Sequence, residues 1–260
     1  MVLANKIYYN GIGGTMNKFG FTLAEVFHPA GQAKRTAFTL AEVLITLGII
    51  GVVAALTMPS LIQHHRKQVI ETRLAKFYSN INQAMKLSEI ENGPRQFWQK
   101  LDWQPVYDSE GNFTNSYTSN NIEEWFDKYF GKYIQTVKTE RANTSEDQLK
   151  VYFPDGSLLL FSANSWLFYP EAKNFETMEK DDKSIDRLRK DCGKKYFTFG
   201  IYNFGIAPYG MNSSQTITEE EILNDNVIGC NKNASNERAL CTLLIARNGW
   251  KIPKDYPLKF

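Results

Sequence analysis

The chain has 260 residues, 43% of them hydrophobic and 13% aromatic, enough for one medium-sized core plus additional segments. That bulk composition excludes a disordered or collagen-like chain. Of 30 basic and 28 acidic residues, Lys6, Lys18, Lys34, Arg35 and Glu25 lie in the first 37; from Phe38 onward the charge is −1, which gives no electrostatic case for nucleic acid.

The three histidines are His28, His64 and His65. With none beyond residue 65, the bulk of the chain lacks Ser-His or Cys-His nucleophilic machinery and histidine metal sites. Carboxylate and tyrosine chemistry stay open.

Phe38 to Ile62 is the most informative stretch, and no charged residue occurs from Val43 to Gln63. At about 1.5 Å per residue, such a helix crosses a hydrocarbon core of roughly 30 Å. An ordinary signal anchor is one reading. Glu42 argues for another, because a carboxylate inside an apolar helix costs about 2.5–3.5 kcal/mol on insertion scales and needs a partner. Cleavage between Ala37 and Phe38 would create an α-amino group one turn away, on the same helical face.

Lys34-Arg35-Thr36-Ala37-Phe38-Thr39-Leu40-Ala41-Glu42, followed by the apolar run, resembles the processing motif of type IV prepilins and type II secretion pseudopilins. The resemblance implies a leader over residues 1–37, removed by a membrane aspartyl peptidase that also N-methylates Phe38. It implies that Glu42 serves assembly and that the apolar helix stays in the mature protein. Its implied partners are that peptidase, other pilin-like subunits, an inner-membrane assembly platform and membrane lipid before assembly. No cofactor and no metal are implied, and the chain needs no catalytic residue of its own.

Two features depart from the family pattern. Ala37 stands where the family usually has Gly. Upstream, Gly20-Phe21-Thr22-Leu23-Ala24-Glu25-Val26 repeats the motif with the usual Gly, but Pro29 follows and would break a helix. The upstream copy reads as a partial duplication within an extended leader, and Met1 and Met16 are both compatible starts.

Within the helix, Gly48, Gly51 and Ala55 are small residues that let membrane helices approach closely. Pro59 cannot donate to the Ala55 carbonyl, so a kink or local opening is expected there. The resemblance implies that this region loosens when subunits leave the bilayer.

After the collar His64-His65-Arg66-Lys67, Ile70, Leu74, Phe77, Ile81 and Met85 form one apolar stripe. This predicts an amphipathic continuation over residues 63–92, ended by Gly93 and Pro94, in a helix roughly 80 Å long. Residues 93–260 are then the globular domain. Residues 95–148 read as mixed and loop-rich, with a helical pattern at Ile122–Phe130 and a turn at Asp108–Asn112. As a calcium loop that turn lacks the later Glu of an EF-hand.

Lys150–Phe153 and Ser157–Phe161 flank Pro154-Asp155-Gly156, a hairpin signal. Tyr196–Tyr202 predicts another strand, with a turn near Asn203–Gly205 and a return through Ile206. Between them, Glu171–Lys195 reads as a charged loop or short helix. The expected class is α+β, one long helix packed on an antiparallel sheet, as in pilins.

The positive-inside rule places Lys34 and Arg35 in the cytoplasm and the globular domain outside it, where disulfides persist. Pairing of Cys230 with Cys241 is expected, as pilin-like proteins often pin their C-terminal region in this way; the alternative is three free thiols. Cys192 would be free or buried, and reactive if exposed among Lys190, Lys194 and Lys195. The leading expectation is a structural subunit of a type IV pilus, a type II secretion pseudopilus or a related filament. The alternative is a single-pass, membrane-tethered extracytoplasmic domain that binds a ligand or acts as an enzyme.

Overall fold

The structure, a computed structural model, describes residues 38–142, 148–162, 166–180, 189–211 and 217–260. The expected leader 1–37, including Ala37 and the upstream repeat, lies outside the described residues, as does part of the charged stretch, 181–188. Two compact units divide the chain, Met1–Val52 and Val53–Phe260.

Helix α1 runs from Leu40 to Asn92. Its early turns expose Leu44, Ile45, Ile49, Ile50, Leu56 and Ile62, and an apolar 18-residue window is 0% buried. A helix apolar all round and exposed among the described residues suits lipid, and this one is long and apolar enough to cross a membrane. Pro59 lies inside α1 and the helix continues past it, so the expected opening does not interrupt the element.

Farther along, the pattern becomes one-sided. Ile70, Leu74, Phe77, Ile81 and Met85 are buried, as the stripe predicts, and Ala84 is buried beside them. Gly93, at φ +78°, takes the left-handed position that ends a helix without a Cβ penalty, and Pro94 prevents resumption.

Six strands form one antiparallel meander in chain order. They are β3 (Lys138–Arg141), β4 (Leu149–Tyr152), β5 (Leu158–Phe161), β6 (Trp166–Tyr169), β7 (Phe197–Tyr202) and β8 (Gly205–Pro208). The β4–β5 turn follows its residues: Gly156 has φ +79°, and the Asp155 carboxylate accepts from the Ser157 backbone at 3.1 Å. Residues 95–142 hold more order than their composition suggests. A separate hairpin pairs β1 (Trp103–Tyr107) with β2 (Phe113–Ser119) across the Asp108–Asn112 turn. Helix α2 (Ile122–Phe126) follows and continues into one π-turn, Asp127–Gly131.

Strands β4, β5 and β6 are buried at every position, because both faces of the sheet are covered. On the first face, Val151, Leu159, Phe161, Phe168 and Phe199 meet the α1 stripe, α2 and α5 (Leu240–Arg247). Phe77 is the central contact, stacked on Phe168 at 4.3 Å and edge-on to Phe199 at 5.0 Å. On the second face, Tyr152, Leu158, Leu160, Leu167 and Tyr169 pack with Phe175 of α3 (Lys173–Lys180). Lys150, nearly buried on that face, bonds Glu179 of α3 and Glu140 of β3, each at 3.1 Å. Burial pulls its ammonium down, but the two carboxylates outweigh burial and hold it above its ordinary value.

Helix α1 also closes one sheet edge. The Asn82 side chain accepts from the Ile206 N–H at 3.0 Å and donates to the Ile206 carbonyl at 2.8 Å, pairing with β8 as a further strand would. Gly205 fits the same contact, since a Cβ there would lie 2.7 Å from the Asn82 oxygen.

Two substitutions check this seam. Leu74→Ala is expected to cost about 2–5 kcal/mol by cavity formation, read by chemical denaturation. Asn82→Leu strands two backbone groups and is expected to cost about 1–3 kcal/mol, whereas Asn82→Asp retains the acceptor and loses less.

Candidate functional site

The residues singled out by the processing motif lie at the start of α1. Phe38 is exposed and precedes the helix. Thr39 and Glu42 form a reciprocal cap: the Glu42 carboxylate accepts from the Thr39 backbone at 2.8 Å and from its hydroxyl at 2.9 Å, while the Glu42 N–H donates to that hydroxyl at 3.2 Å. This is a capping box, and the T-x-x-E spacing that encodes it is visible in the sequence. The same device starts α4 (Glu219–Asn224), where Thr218 and Glu221 pair identically. Glu42 therefore has a local partner within its own chain. Both bonds to the carboxylate use the same oxygen, and the other oxygen has no bond among the described residues.

Gly48 and Gly51 stand in open surroundings, and a Cβ added at either would meet nothing within 4 Å. Ala55 and Pro59 are exposed on the same helix. Packing among the described residues therefore gives none of these residues a reason to be small.

Cys230 and Cys241 are joined, with Cα atoms 4.6 Å apart. The loop they close is not a floppy one pinned only by the bridge. Arg238, buried inside it, donates from Nε to the Asn231 carbonyl at 2.7 Å and from Nη1 to the Lys190 carbonyl at 2.8 Å. Asn231 in turn donates to the Leu223 and Asp225 carbonyls. Cys241 belongs to helix α5 rather than to a strand, and Thr242 of that helix accepts from the Thr198 N–H of β7 at 2.9 Å. Buried polar pairing orders this loop, a signal that local composition does not carry.

Cys192 is free and fully buried. Burial pushes its thiol well above the ordinary cysteine range, so the nearby lysines do not activate it. Tyr169, Tyr196 and Tyr256 crowd the same region, with the Tyr196 hydroxyl donating to Glu237 at 2.9 Å and that of Tyr256 to the Gly193 carbonyl at 2.7 Å.

Sequence reading did not find a cleft of about 290 Å³ between α1 and the β4–β5 turn, lined by Lys76, Phe77, Asn80, Tyr133, Gln135 and Asp155. Two of its charges are matched, since Lys76 and Asp155 pair at 3.0 Å, while Arg73, which also lines it, donates to the Pro170 carbonyl. Among the described residues no group of three His, Cys, Asp or Glu is placed to hold a metal ion.

These features define a class: an α+β domain on a helix long and apolar enough to cross a membrane, with one disulfide near its C-terminus. The chain belongs to a family of unknown function, DUF6613, whose sequence model matches residues 60–260. No curated protein and no solved structure matches it.

Two outcomes are expected. Alkylation of the folded, unreduced protein leaves all three cysteines unmodified, and Cys192 is modified only after denaturation, as read by peptide mass. The second concerns alkaline pH. Burial, first among the causes, raises the Tyr152, Tyr169, Tyr196 and Tyr256 hydroxyls above their ordinary value. Their stabilising contribution is full below about pH 10, where the unfolded chain begins to ionise, and is lost as pH rises beyond it. Phenolate absorbance from these four should appear together with loss of near-ultraviolet circular dichroism; ionisation ahead of unfolding would contradict their burial.

Proposed function

We propose that this protein is a structural subunit of a filament of the type IV pilus or type II secretion pseudopilus kind, cleaved before Phe38 and held in a membrane by the first part of α1 until assembly. The observation that carries the reading is the run Lys34 to Glu42 joined directly to a helix that is apolar all round. Support comes from the second part of that helix, whose stripe packs across an antiparallel sheet. The open surroundings of Gly48 and Gly51 also fit helices that pack against other copies.

In this reading the capping box prepares Glu42 for two tasks. One carboxylate oxygen closes the first turn of its own helix through Thr39. The other is free for the α-amino group that cleavage creates at Phe38, in the same chain or in a neighbour. Cleavage before Phe38 leaves the Thr39 N–H an amide, so the cap survives processing. The globular domain would lie outside the cytoplasm, where the Cys230–Cys241 bridge persists.

A second reading is a membrane-tethered domain that binds a ligand, favoured by the family match starting at residue 60, beyond the motif, and by the cleft beside Phe77. Intact-mass and N-terminal analysis of membrane-extracted protein separates the two. A chain starting at N-methylated Phe38 is expected; one starting at Met1 or Met16 in cells that carry the peptidase would end the filament reading. Glu42→Val is expected to leave membrane insertion intact, since a buried charge is removed, while incorporation into filaments falls. Normal incorporation of that variant would remove the assembly role.

A further inference from the structure

The apolar run ends near Ile62, and Arg66 lies one helical turn beyond, about 6 Å along the axis. Each headgroup layer of a bilayer is roughly 5–8 Å deep, so chain continuity alone brings Arg66 and Lys67 to headgroup level. The fold adds two distant lysines to them. The C-terminal tail returns to this part of α1: the Lys67 ammonium sits 5.8 Å from the centre of the Phe260 ring. Leu258 packs against Gly193, which places Lys259 between that contact and Phe260. Lys194 follows Gly193, and burial first, then Arg238, Lys195 and Arg66, lower its ammonium against the pull of Asp191. Asp191 is itself paired with Lys195 at 2.8 Å. Asp255, farther back on the tail, is exposed. Among the described residues, Arg66, Lys67, Lys194 and Lys259 form no ion pair.

We infer that Arg66, Lys67, Lys194 and Lys259 make one basic face that rests on the anionic phospholipid headgroups of the bilayer crossed by the chain's own helix, seating the folded domain on the membrane. This rests on the membrane-crossing reading and adds to it a partner for the domain. Four like charges brought together from three separated parts of the chain repel one another, and a layer of phosphates relieves that repulsion. Lys194 and Lys259 extend the contact beyond the collar, from the helix to the turn before β7 and the C-terminal tail.

The test uses the full chain in lipid nanodiscs, with one cysteine appended after Phe260 to carry a fluorophore. Cys192 is buried and the other two cysteines are bonded, so the label is unique. A lipid with a nitroxide on its headgroup supplies the quencher. Quenching is expected to be stronger with phosphatidylglycerol than with phosphatidylcholine alone, and to weaken as salt is added. Lys259→Gln, at an exposed position, and Lys194→Gln should each lower the docking constant about fivefold, the equivalent of about 1 kcal/mol per charge. Circular dichroism confirms that the variants are folded. Equal quenching in neutral and anionic discs overturns the headgroup contact alone. A chain that does not enter the discs overturns both this contact and the membrane-crossing reading.

Discussion

Packing of the α1 stripe onto the first face of the sheet is the contact on which the domain depends. Phe77 stacks on Phe168, and Leu74 and Ile81 are fully buried beside it. The same helix closes the β8 edge through Asn82, and Glu71 accepts from the Ile252 N–H of the C-terminal tail at 2.9 Å. One element thus covers a face, an edge and a terminus. It cannot slide along its axis without losing all three, since a shift by one turn would carry Asn82 away from Ile206.

A second constraint is burial of the sheet on both faces. Most antiparallel sheets leave one face to water and alternate apolar with polar residues. Here Leu158-Leu159-Leu160-Phe161 runs without alternation, because α3 covers the face that α1 does not. Lys150 is a charged residue buried on that second face. Its two carboxylate partners convert a costly buried cation into a clamp between β3 and α3.

The two parts of α1 obey different solvents. Where its side chains are apolar all round, they are exposed among the described residues; where they are striped, the stripe is buried. Glu42 breaks the apolar pattern, and its capping bonds with Thr39 explain how its charge is held at the helix start. Those bonds account for the geometry of one carboxylate oxygen, and the proposed filament role concerns the other.

Much of this was legible in the residues. The span, the stripe from Ile70 to Met85, the Gly93-Pro94 stop and the Pro154-Asp155-Gly156 hairpin depend on neighbours within a few positions, so spacing alone determined them. The class of fold followed from their order. The β1–β2 hairpin, β3 and β6 were not legible, because their stability lies in partners rather than in their own alternation. Order in the Cys230–Cys241 loop was hidden for the same reason: Arg238 looks like a surface charge until the Lys190 carbonyl, 48 residues away, is placed beside it. Tertiary structure alone decided that Cys192 is shielded among tyrosines, and that Lys194 and Lys259 join Arg66 and Lys67. Local propensity acts over one or two turns of chain, whereas burial and charge are set by what folding brings together across the whole of it.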